Sequence, residues 1–132
     1  MYLAAAVVSE RSAVIDQSLY WAAAENLEEA RYFTGVLNSG SVLTAIRPLQ
    51  SRGQHNPRDF HKTVLQLPIP PYDPESAQHA RLVELACKAE RIAAAVDLRT
   101  TRFEAQRRQI RAALAEVGVS AEMDTIVTTL LE

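Results

Sequence analysis

Apolar side chains recur every seventh residue through the second half of the chain. Leu82, Ala89, Val96, Phe103, Ile110 and Val117 form one series, and Leu85, Ile92, Arg99, Gln106 and Ala113 form the series offset from it. That repeat predicts a helix with one continuous stripe. No Gly or Pro interrupts Ser76 to Val117, so the spacing favours one long helix over about 76–117 rather than a hairpin. At about 1.5 Å per residue such a helix would run roughly 60 Å, longer than a domain of this size can cover. Gly118 ends it, and Ser120 caps a last amphipathic helix over about 120–131 carrying Met123, Ile126, Val127, Leu130 and Leu131.

The first half has a different rhythm. Tyr2 to Val8, Ala13 to Ser18 and Leu19 to Ala23 are short apolar segments with β-branched and aromatic residues, separated by polar turns, and they read as two or three small strands. The alanines at 4–6 and 22–24 fit a helix as well. Asn26-Leu27-Glu28-Glu29 is a capping-box pattern that starts a helix with Ala30, Phe33, Val36 and Leu37 on one face. Asn38-Ser39-Gly40 stops it, and Ser41 restarts a short helix through Val42, Leu43 and Ile46, limited by Pro48. Leu49 to Pro57 is polar with Gly53 and Pro57 as breakers, an exposed loop. Phe60, Val64, Leu65 and Leu67 lead from there into a strap, Leu67-Pro68-Ile69-Pro70-Pro71-Tyr72-Asp73-Pro74. Each residue before a proline in it is kept extended. The expected architecture is therefore α+β: a small N-terminal β element with short helices over 1–75, then a helical segment over 76–132 with the long heptad helix and a final short one.

Length gives one domain with a modest core, and much of the 48% hydrophobic share is alanine, so a thin core completed by a partner or by self-association is expected. The single Cys87 excludes an internal disulfide and suits a reducing compartment. The apolar run at 2–8 is too short to span a bilayer and has no basic leader, which points to a cytoplasmic protein with no membrane partner. Because Met1 abuts a strand-like run with no lead-in, a terminal piece of a longer protein is expected.

The net charge of −2 hides a local surplus: Arg47, Arg52, Arg58 and Lys62 stand against Asp59 alone. Arg47, Ser51, Arg52, Gly53, Gln54, Arg58, His61 and Lys62 make the candidate DNA-contact set, since arginine and glutamine match base edges and phosphates and glycine lets backbone come close. Arg99, Arg102, Arg107, Arg108 and Arg111 form a second basic set, for which a solvated helix face or a grip on an acidic partner is as good a reading as DNA. Leu82, Leu85, Ala89, Ile92, Val96, Phe103 and Ile110 are the candidate partner-helix interface. His55, His61, His79 and Cys87 match no compact metal-ligand spacing, so no metal is expected. Ser51, His61 and Asp59 lack a nucleophile elbow, so no hydrolase is expected either.

Three stretches carry a family likeness: Val14-Ile15-Asp16 with Leu19-Tyr20-Trp21; Glu28-Glu29-Ala30-Arg31-Tyr32-Phe33 through Val36-Leu37-Asn38-Ser39; and Arg52-Gly53 through Arg58-Asp59-Phe60-His61-Lys62 to Leu67-Pro68-Ile69-Pro70, with Tyr72-Asp73-Pro74 and His79 to Leu85 beyond. In this order they resemble the C-terminal end of the target-recognition region of adenine-N6 DNA methyltransferases from restriction-modification and related phage-defence systems. They are also similar to type I specificity-subunit half-domains. The resemblance implies a recognition fragment that helps select a DNA sequence, partnered by a methyltransferase domain or subunit that binds S-adenosylmethionine elsewhere. No cofactor motif is present in this chain. Pro70-Pro71-Tyr72 resembles the turn that holds a flipped base, but Ile69 occupies the place of the required acceptor, so the motif has no chemistry. The expectation is a non-catalytic specificity fragment touching DNA through the 47–62 set and a partner through the long helix. The alternative is a helical interaction or dimerisation module with no DNA contact of its own.

Overall fold

Residues 3–49 and 63–132 are described by the computed structural model. Among them are five α-helices and one 3-10 turn, and no strand: α1 Leu27–Asn38, α2 Gly40–Ile46, the 3-10 turn Arg47–Leu49, α3 Ala77–Ala95, α4 Phe103–Glu116 and α5 Val119–Leu130. The α+β expectation is thereby overturned. From Leu3 on, the residues read as an N-terminal β element are extended or turned backbone, and among the described residues no second strand lies beside them to complete a ladder. Strand-like composition needs a partner edge before it becomes a sheet.

α1 starts where the capping pattern places it. The Asn26 side chain accepts the Glu29 N–H at 2.9 Å, while the Glu29 carboxylate reaches back one residue further than the box requires, to the Glu25 N–H. The helix ends at Asn38 because Ser39 turns extended, and the Ser39 hydroxyl then caps α2 by accepting the Ser41 N–H at 3.0 Å. Ser39 is buried, so its hydroxyl also needs an acceptor, and the Asp124 carboxylate of α5 supplies it at 2.8 Å. The same carboxylate oxygen accepts the Gly40 N–H at 2.7 Å, and the Ser41 hydroxyl donates to the Asp124 carbonyl at 2.9 Å. One acidic side chain thus closes the start of α2 and locks it to α5.

The core is Tyr32, Val36, Val42, Ile46, Leu82, Leu85, Val119, Met123 and Val127, drawn from α1, α2, α3 and α5. α1 packs on α3 and α5 at Gly35, where an added Cβ would lie 3.5 Å from the Leu82 carbonyl and 3.6 Å from the Met123 methyl. Charge pairs bind the seams: Arg31 reaches Glu90 at 3.1 Å between α1 and α3, and Arg81 reaches Glu122 at 2.7 Å between α3 and α5. Both pairs are partly exposed and add little stability individually.

The long heptad helix over 76–117 is not formed. α3 ends at Ala95 and α4 begins at Phe103, and the two pack as a hairpin. No Gly or Pro causes the break. Val96, Asp97, Thr100 and Thr101 are weak helix formers, and the Thr100 hydroxyl takes the Arg102 N–H at 3.2 Å while Gln106 closes on the Thr100 carbonyl at 2.8 Å. Folding back also covers apolar surface that a straight helix would leave in water. Gly118, with φ of 76°, makes the reversal and is itself the N-cap of α5, so Ser120, expected to cap that helix, lies inside it.

Asp124→Ala removes the acceptor of two hydrogen bonds, one of them from a buried hydroxyl. Urea denaturation followed by circular dichroism should show a loss of about 2 kcal/mol; an unchanged midpoint would show that the α2–α5 corner does not depend on this carboxylate.

Candidate functional site

The strap is fixed to the helices through Tyr32. Its ring is fully buried against Tyr72 and His79, with centroids 5.5 and 4.5 Å away, and its hydroxyl donates to the Pro70 carbonyl at 2.9 Å. Pro71 provides no N–H, so the strap's carbonyls look outward from the strap for partners. The Tyr72 hydroxyl donates to Glu28 at 3.1 Å, and the Asp73 N–H donates to Nδ1 of the buried His79 at 3.0 Å. Both nitrogen and ring of His79 are therefore committed to holding the strap, and among the described residues no group of three His, Cys, Asp or Glu is placed to hold a metal ion.

A second joint ties down the N-terminal segment. The Asn38 side-chain amide accepts the Ala5 N–H at 3.0 Å and donates to the Ala5 carbonyl at 2.8 Å, reproducing with one side chain the two bonds of a strand partner. Leu3, Ala5 and Val7 are half-buried while Ala4, Ala6 and Val8 are exposed, the alternation of an extended segment with one face on the protein. From Ser9 to Glu28 every residue is exposed, including Val14 at 96% and Trp21 at 72%. So long an exposed stretch with this many β-branched and aromatic side chains is unusual for a surface arm.

Of the expected DNA-contact set, Arg47 is exposed on the 3-10 turn after α2. Ser51, Arg52, Gly53, Gln54, Arg58, His61 and Lys62 lie outside the described residues. The expected partner-helix interface is corrected. Leu82 and Leu85 are fully buried in the chain's own core, and Ala89 and Ile92 pack against it, because the stripe is used to hold α1 and α5. Val96, at the C-cap of α3, and Ile110, on α4, are half-buried outside the core cluster, and Phe103 is 66% exposed.

A shallow groove of about 540 Å³ runs between α2 and α5, past Gly40, Ser41, Thr44, Asp124 and Thr128. Its polar groups already satisfy one another, with the Ser41 and Thr128 hydroxyls 2.8 Å apart, so it holds no unspent donor for a substrate. Compared with protein-family models, with curated proteins and with solved structures, the chain matches none. Two joints escaped the sequence reading: Asn38, whose role is masked by its helix-stop position, and Asp124, whose partners lie more than eighty residues away.

Burial pushes the Tyr32 phenol up to about 12, against about 10 for an ordinary tyrosine. The folded state holds this proton more tightly than the unfolded one, so the linked stability is complete below pH 10 and drains as pH rises toward 12. Burial and the bond to Glu28 raise the Tyr72 phenol as well, so alkaline titration of phenolate absorbance should show a late component that loses its last-titrating tyrosine in Tyr32→Phe. If that substitution leaves the amplitude of the late component unchanged, the assignment is wrong.

Proposed function

We propose that this chain is a DNA-recognition segment of a restriction-modification adenine-N6 DNA methyltransferase, contributing specificity and contacts rather than methyl transfer. S-adenosylmethionine binding and catalysis would belong to another domain or subunit. The observation that carries the reading is where the residues of the family likeness sit. Glu28, Tyr32, Asn38, Ser39, Pro70, Tyr72, Asp73 and His79 are scattered over fifty residues of sequence, yet they are the joints that hold strap, helices and N-terminal segment together. The family likeness thus falls on residues that hold this fold, and the reading rests on that likeness. DNA contact itself rests on the charge of the 47–62 set.

The exposed arm favours a second reading, an interaction module whose Val14, Ile15, Leu19 and Trp21 meet a protein neighbour. The two readings separate in a gel-shift series with duplexes of many sequence contexts. The DNA reading predicts binding that weakens as salt rises, with Arg52→Ala and Lys62→Ala each reducing the steepness by about 0.9 in the logarithmic slope. Absence of any shift at low salt would leave only the interaction module.

A further inference from the structure

The extended segment over 3–8 is bound to the protein along one edge only. Leu3 packs against the core, and the Ala5 N–H and carbonyl are both taken by the Asn38 amide, at 3.0 and 2.8 Å. In extended backbone the N–H and C=O of alternate residues point to opposite edges, so those of Ala4, Ala6 and Val8 point away from Asn38. Among the described residues none of these three has a hydrogen-bond partner, and all three are exposed. Natural sheet edges are guarded against pairing by charged side chains or proline. Residues 2–8 contain neither.

The edge matches itself. Turned about a twofold axis at Ala6, the segment of a second copy runs antiparallel to the first and presents the same three residues, with Ala6 opposite Ala6 and Ala4 opposite Val8 on either side, all as hydrogen-bonded pairs. No charged side chain falls within 3–9, so none opposes another along this ribbon. A two-stranded ribbon alone is marginal in water. The arm supplies further area, entering through the turn that the Ala13 N–H closes on the Glu10 carbonyl at 3.3 Å. Val8, Val14, Leu19, Tyr20 and Trp21 are mostly exposed and leave roughly 500 Å² of apolar surface in water. Counted for two chains and joined to the ribbon, that area reaches the lower end of specific interfaces, about 1,200 Å².

We propose that the chain forms a twofold-symmetric dimer by antiparallel pairing of its 4–8 edge with that of a second copy, the arms packing their apolar side chains across the seam. The arm contributes side chains only, and its own amides stay in water. The dimer is independent of the DNA reading; it rests on the exposed arm of the interaction reading and names a second copy of this chain as the neighbour that arm meets. The Asn38 bonds to Ala5 hold the segment straight before any partner arrives, so little ordering remains to oppose the pairing.

The test is light scattering of the full chain between about 5 and 500 μM, the range of a dissociation constant near the micromolar, with residue-resolved amide exchange at both ends. Wild type should pass from monomer to dimer, and the amides of Ala4, Ala6 and Val8 should gain protection with concentration while Ala5, bonded to Asn38, is protected throughout. Ala6→Pro removes the central donor yet keeps Ala5 extended on Asn38, and should hold the chain monomeric. Ala6→Lys or Ala6→Glu places like charges opposite each other at the axis and should weaken the dimer about fivefold or more, whereas an equimolar mixture of the two should recover wild-type association. That mixture leaves the backbone unchanged and decides the matter if Ala6→Pro melts early. A dimer that neither Ala6→Pro nor the charged variants weaken lies on another surface and overturns the proposal. A wild type that stays monomeric also overturns it, while the gel-shift test of the DNA reading and a different protein neighbour for the arm stand as before.

Discussion

Tyr32 cannot be buried unless something accepts its proton, and the fold is arranged to supply that acceptor. A phenol taken out of water without a partner costs several times what its hydrogen bond contributes when made. The Pro70 carbonyl meets it at 2.9 Å because the proline-stiffened strap has few other conformations to adopt. From that one bond much else follows: Tyr72 lies against the Tyr32 ring, His79 closes beneath it, and the Asp73 N–H finds the imidazole. α1 and α3, more than thirty residues apart in sequence, are thereby held with Gly35 against Leu82.

Once these helices and α5 have closed, the apolar stripe of the second half is consumed. Leu82 and Leu85 serve the interior, which rules out the same residues as a seam for another chain. What remains for partners is chemically polarised. The exposed surface includes an apolar arm over 9–24 and the arginine-rich helix α4, while the seams keep their own charges neutralised.

The sequence signalled local boundaries well and long-range consequences poorly. Asn26, Ser76 and Gly118 mark element ends because caps and left-handed turns are decided by a few neighbouring atoms. The heptad over 82–117 was a true apolar periodicity but a misleading one, since continuity of phase does not show whether a weak stretch such as Val96 to Thr101 will bend back to bury it. The N-terminal segments carry strand-like composition, yet a strand exists only where a second edge is present, and Asn38 provides a single residue's worth. The Asp124 clasp was invisible for a related reason: a carboxylate in a helix gives no hint that a serine from the far end of the chain will need it.

A helical core closed through Tyr32 and the strap stands beside an exposed arm over 9–24. Amide hydrogen exchange resolved by residue measures that separation directly. Apart from Ala13, Ser18 and Leu19, whose N–H groups close local turns, residues 13–24 should exchange close to the rate of an unstructured peptide, while interior amides of α1 and α3, Tyr32 to Val36 and Leu82 to Ala86, are protected up to the free energy of global unfolding. Protection of 13–24 equal to that of the helices would contradict it, since the arm would then be part of the folded core.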